Sequence, residues 1–147
     1  MASYLYNKHK QFQFDGTAVI DFDTDSVFVA LVNSAYVANS TAQDTHDYFN
    51  DVGTSEITGT GYTSGGQSVG SQTVTLDTAN DRVDIDAADV TWSASTITAY
   101  GAVLYKRVGT TASVSPVIGL IDFGGVFTST AGPFTITWSA SGYYRVA

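Results

Sequence analysis

Two kinds of apolar patterning run along this chain. In SVFVALVN (26–33), ITAYGAVLY (97–105) and VIGLIDF (117–123), apolar side chains occupy both alternating faces, which predicts central strands covered on both sides. QTVTLD (72–77) and RVDIDA (82–87) alternate instead. Val74 and Leu76 oppose Val83 and Ile85 across Thr78-Ala79-Asn80-Asp81, a pattern that predicts a hairpin with one wet face. Near the end of the chain, PFTITWSASGYYRV puts Phe134, Ile136 and Trp138 on one face and Thr135, Thr137 and Ser139 on the other, the signature of a half-buried strand. VTWSAS (90–95) is nearly repeated by ITWSAS (136–141). Six matched positions are too few for a structural repeat. Each reads as a strand that inserts one tryptophan, Trp92 or Trp138, into the core.

Helical signals are sparse. DTHDYFNDV (44–52) carries capping candidates in Asp44 and Thr45, acids in its first turn and Gly53 as a stop, and predicts one short helix near 45–52. Residues 1–16 stay open between an amphipathic helix in YLYNKHKQ ending near Gly16, a strand in QFQF, and an arm docking on a neighbour. Polar, small-residue loops fall at 34–43, 53–71 and 108–116. Two prolines and fourteen glycines fit many short strands joined by tight turns. The expectation is an all-β, single-domain antiparallel β-sandwich, jelly-roll or immunoglobulin-like, with one short helix: an N-terminal arm or short helix over 1–16 and the sandwich over 17–147.

Composition sharpens this picture by exclusion. Surface scaling for 15.5 kDa predicts roughly 7,200 Å² exposed in the folded state, with about two-thirds of the unfolded surface buried. A core of that size needs no staples. The chain contains no cysteine, which removes disulfides, thiolate metal sites and cysteine nucleophiles together. Fourteen acids face six bases, and residues 11–81 hold ten acids with no lysine or arginine. Such a surface repels phosphate backbones, so nucleic acid is not an expected partner. No run approaches the roughly 18 apolar residues of a membrane span, and MASYLYNKHKQFQF lacks the apolar core of a signal peptide. The reading is of a soluble protein made without export through a cleavable signal.

The chemical candidates are each outweighed by a structural account. Asp21, Asp23 and Asp25 in DFDTD alternate along an extended segment as Ca²⁺ ligands would, but the glycine and distant glutamate of an EF-hand are missing. A solvated strand end and turn is the expectation. Asp81, Asp84, Asp86 and Asp89 read as the wet face and turn of the hairpin. Asp44, His46 and Asp47 lack the convergent ligands of a metal site and the positioned nucleophile of a triad. GTGYTSGGQSVG (59–70) has no Gly-Lys-Ser/Thr ending and no following helix, and its composition predicts a flexible surface loop. Trp92 and Trp138, with Tyr100, Tyr143 and Tyr144, form a residue set that a sugar platform would need; core burial of both tryptophans is the expectation. No catalytic, cofactor-binding or metal residue is assigned, and no cofactor is expected.

Taken together, DTDSVFVALVNSAYVANSTAQDTHDYFNDV, GTGYTSGGQ, VTLDTANDRVDIDAADVTWSASTITAYGAVLYK and the LIDFG and FTITWSASG segments resemble a family of small tailed-bacteriophage proteins found among virion structural genes. The resemblance spans most of the chain and brings no catalytic or binding motif with it. It implies a non-enzymatic virion protein made in the host cytoplasm. The leading expectation is a capsid decoration (cement) protein on the capsid exterior, binding the major capsid protein as a homo-oligomer; the other is a neck or tail component. The alternative from another class is a carbohydrate-binding β-sandwich module on an adsorption apparatus.

Overall fold

A computed structural model describes residues 2–147. In chain order the strands are β1 (Tyr4–Leu5), β2 (Val27–Val32), β3 (Gln67–Ser68), β4 (Thr73–Asp77), β5 (Arg82–Asp86), β6 (Val90–Lys106), β7 (Val117–Ile136) and β8 (Tyr144–Val146). They form two antiparallel sheets, β1-β7-β6-β2-β3 and β4-β5-β8, giving an all-β sandwich. The accessible surface is 7304 Å², close to the value that chain length alone predicts.

The segments apolar on both faces sit mid-sheet. One face of β2, β6 and β7 packs Val29, Leu31, Leu104 and Ile118 with Trp92 and Ile97, and meets Phe22 and Ile85 from the other side. The opposite face packs Ala30, Val32, Val103, Tyr105 and Leu120 under Tyr6, Tyr36, Phe49 and Val52. Two cores on one sheet explain why these strands carry no alternation.

Four strand readings merge into two. Segments 90–95 and 97–105 are one strand, β6, and segments 117–123 and 134–136 are one strand, β7. They pair with each other from Val90↔Ile136 to Tyr105↔Val117. The near-repeated hexapeptides therefore start on paired residues at the same end of this long hairpin. The pairing is interrupted: between Ala99↔Phe127 and Gly101↔Asp122, β6 advances two positions while β7 advances five. The extra residues, around Phe123–Val126, bulge outward at Gly124, whose φ is +74°. A second irregularity lies at Ser95, fully buried, with its Oγ 2.6 Å from Ser129 Oγ and 3.0 Å from the Gly132 carbonyl oxygen.

The helices are α1 (Asn7–Asp15), α2 (Ser34–Val37) and α3 (Ala42–Thr45). α1 runs through QFQF and stops at Gly16 in the left-handed region, whose N–H bonds to Phe12 O. Just before it, Tyr4 and Leu5 pair with Leu120 and Gly119 of β7. The helix predicted near 45–52 does not form as one piece. α3 ends at Thr45, His46 is extended, and single 3₁₀ turns follow at Phe49–Asp51 and Gly53–Ser55. The cause is lateral hydrogen bonding: Asp47 O accepts from Val117 N–H (3.0 Å), and Phe49 N–H donates to Ser115 O (2.8 Å). A helix would need those same groups for its own ladder.

The β4–β5 hairpin has the expected register, Val74↔Ile85 and Leu76↔Val83. β8 extends both rows, with Tyr144 beside Ile85 and Val146 beside Val83. Even the first row is only partly covered, with Val74 at its edge 42% exposed. Ile85 is buried, whereas Leu76 is 68% exposed and Val146 52% exposed, so the apolar face of the small sheet overhangs the core.

Candidate functional site

The glycine-rich segment is a packed strap rather than a flexible loop. Thr96 N–H donates to Thr60 O (2.9 Å), Ile57 N–H to Leu31 O (3.0 Å) and Val69 N–H to Val27 O (2.9 Å). A Cβ at Gly61 would lie 2.4 Å from Ala94 O, and one at Gly66 would lie 1.8 Å from Val29 O. The glycines let the strap lie against strand backbone, a close approach that composition cannot distinguish from flexibility. Glu56 anchors its turn by accepting from Tyr62 OH (2.7 Å), Ser64 Oγ (2.8 Å) and Gly65 N–H (2.6 Å), and Tyr62 OH in turn accepts from Leu31 N–H (3.0 Å).

Beside that turn lies a pocket of about 160 Å³ between the strap, Phe49 and the β6–β7 connection. Phe49 and Tyr105 stack beneath it at 3.9 Å and 11°. Tyr105 OH donates to Gly65 O (2.8 Å); burial is the main cause that pushes this phenol up to about 12, with Arg107 opposing it and Glu56 adding to it. The Arg107 guanidinium lies 4.7 Å over the Phe28 ring, and its Nε donates to Gly109 O (3.1 Å). Arg82 pairs with Asp77 and Asp84, and Arg145 with Asp84. Among the described residues no carboxylate lies within 4.0 Å of Arg107. Nothing in the sequence marked Arg107, which follows an apolar strand with no motif around it.

The acidic candidates do local work. Residues 21–25 form the expected turn, not the extended segment that the Ca²⁺ alternative needed: Asp25 N–H donates to Asp21 O (2.8 Å), Asp21 Oδ1 accepts from Asp23 N–H (3.0 Å), and Asp25 pairs with Lys106 (2.7 Å). Asp84 holds both Arg82 and Arg145; Asp89 Oδ1 accepts from Trp138 N–H (3.1 Å). Asp81 occupies the β4–β5 turn with φ +51°. Among the described residues no three histidine, cysteine, aspartate or glutamate side chains converge as metal ligands.

His46 ends a relay that runs into the core. Its Nδ1 is 2.8 Å from Tyr36 OH, which is 2.7 Å from Tyr6 OH. Burial lowers the imidazole, with Asp51 and Asp47 opposing the shift, and burial also holds both phenols well above their ordinary range. The relay ties the residue ahead of α1 to α2 and α3. Asp44 bonds Asn7, while burial and then a hydrogen bond to Asp51 raise the Asp47 carboxyl. Asp44 and His46 thus join the N-terminal segment to the body, while Asp47 bonds Asp51 and Val117.

The two tryptophans part company. Trp92 is buried at 1% exposure. Trp138 lies on the expected face, with Thr137 and Ser139 exposed on the other, and packs against the core, but beyond the end of β7 at Ile136 it is only half-buried, which corrects the expectation of full core burial. Its Nε1 donates to Ala88 O (2.9 Å), and its ring meets Tyr143 at 5.3 Å and 50°. Tyr144 stacks on Phe22 at 5.2 Å and 18°.

Two uncovered apolar features lie at the surface. One is the overhanging row of Leu76, Val83 and Val146. The other is a groove of about 220 Å³ bounded by Ile121, Phe123, Phe127 and Phe134, where Val126 and Phe127 are more than half exposed. Residues 90–105 and 123–144 contain no charged side chain in a chain of net charge −8. No family model, no curated protein and no solved structure matches this chain.

Proposed function

We propose that this chain is a non-enzymatic structural protein of a tailed-bacteriophage virion, a decoration (cement) protein that binds the major capsid protein on the outside of the head. The observation that carries the reading is the apolar overhang of the β4-β5-β8 sheet, where Leu76 and Val146 face solvent on an acidic molecule. Contiguous uncovered apolar surface on a folded domain fits a protein partner. The resemblance to virion structural proteins supplies the kind of partner. Repetition supplies the strength, since modest contacts at many symmetry-related sites stabilise a shell through multivalency. Net negative charge favours a position outside the shell, away from packaged DNA.

The test is addition of purified protein to capsids that lack it. Saturable binding and a rise in the temperature of capsid disruption are expected. Labelling confined to necks or tails refutes the cement assignment and favours the neck or tail component. The carbohydrate-binding reading ranks second on one observation, the Trp138–Tyr143 ring pair at the surface. It predicts that glycans shift the Trp138 emission; emission unchanged by glycans removes it.

A further inference from the structure

We infer that the pocket between Gly65 and Arg107 is a binding site for a single carboxylate group. Arg107 places a permanent positive charge there, since a guanidinium stays protonated in proteins. Its planar face is spent on the Phe28 ring and its Nε on Gly109 O. The remaining guanidinium donors have no carboxylate within 4.0 Å, unlike those of Arg82 and Arg145. Thr110 and Thr111 add hydroxyls to the same wall. A fork of N–H donors beside hydroxyls matches the geometry of a carboxylate, which accepts two parallel hydrogen bonds from one guanidinium.

Gly65 keeps the space open. A Cβ there would stand 3.3 Å from Tyr105 OH and 3.7 Å from Arg107 Nη1, filling the gap between them. The residue's φ of +90° fixes glycine at this place on conformational grounds as well. A cavity of about 160 Å³ accommodates a short acid or the end of an aspartate or glutamate side chain. One negative charge is the limit, because Glu56 lies on the other side of Gly65 and the whole chain is acidic. A dianionic phosphate meets about twice the repulsion that a monoanion meets. The site is independent of the virion reading, because it rests on the pocket alone.

The experiment is a titration of the ¹⁵N-labelled full chain by two-dimensional NMR, following the Gly65 amide and the Arg107 Nε–H. The probes are acetate, representing free small acids, and N-acetylglutamate α-amide, representing a protein side chain; phosphate and chloride are controls. Saturable shifts confined to these signals are expected with acetate. Saturation by the glutamate derivative as well assigns the site to a side chain of a bound protein, and saturation by acetate alone assigns it to free small acids. Arg107→Gln should weaken binding about tenfold or more, the scale of a lost charge-assisted hydrogen bond. Arg107→Lys keeps the charge but loses the fork. It should weaken binding measurably and serves as the test if the Gln variant loses its dispersed spectrum. Non-saturating shifts, or equal shifts in wild type and variant, overturn the assignment, as does tighter binding of phosphate than of acetate.

Discussion

Acidification should weaken this protein through His9. The side chain is 1% exposed on α1, and neither ring nitrogen has a hydrogen-bond partner. The rings of Phe22 and Tyr144 close on it edge-to-face at 6.1 and 5.7 Å. Burial, and secondarily the charge of Lys10, lowers its pKa from 6.5 to about 4. The unfolded chain therefore takes up a proton below pH 6.5, whereas the folded chain resists until about pH 4. Stability is fully present above 6.5 and drains away as pH falls through that window. At about 1.4 kcal/mol per unit of difference, the loss between pH 7 and pH 4 is about 3 kcal/mol. His9→Leu keeps a similar volume, removes the titration and leaves no unpartnered nitrogen, so it should be as stable as wild type or more so at pH 7. Urea unfolding of both proteins at pH 7, 5.5 and 4.5 isolates the effect, because every other titrating group is common to both. Parallel loss of stability in the two proteins would refute the argument and place the acid sensitivity in the carboxylates.

Gly66→Ala should prevent folding or cost more than about 3 kcal/mol, since its Cβ collides with the Val29 carbonyl at a positive φ; circular dichroism and thermal melts decide it. Glu56→Gln turns a donor toward donors and should cost about 2–3 kcal/mol, with faster amide exchange at residues 62–66 as the local readout. Leu76→Ser should change stability by no more than about 0.5 kcal/mol, because the side chain is 68% exposed, yet weaken capsid binding. Unchanged binding by that variant would remove the overhang from the proposed interface.

The parts legible in the sequence were those where burial is symmetric or strictly alternating. Strands β2, β6 and β7 showed themselves because cores lie on both faces, and the β4–β5 register followed from the opposition of Val74 and Leu76 to Ile85 and Val83. Continuity was hidden. Ser95 and the Phe123–Val126 bulge break the period that would have joined their flanks into single strands. The helix expected near 45–52 had capping residue types at both ends, yet Asp44 and Thr45 lie inside α3 and Gly53 opens a 3₁₀ turn, because the backbone of Asp47 and Phe49 bonds to the β6–β7 connection and β7, a nonlocal competition that no local pattern records. Glycines 59, 61 and 66 were visible as glycines, yet only the backbone running beneath them distinguishes a packed strap from a mobile one. Arg107 gave no signal, because its meaning lies in which acids fail to reach it.

The bulge in β7 governs what happens when many copies crowd together. Beyond β1 and the bonds of Val117 to Asp47, Ile118 to Tyr6 and Asp122 to Ser3, no further strand among the described residues pairs with the outer edge of β7, and a straight edge of that length would template strand after strand from neighbouring chains. Five residues set against two near Phe123–Val126, then a left-handed Ala131 and Pro133, break the regular spacing of donors and acceptors such growth requires. The uncharged, apolar flank can thus meet a partner through its side chains while its backbone stays unsuited to fibre growth.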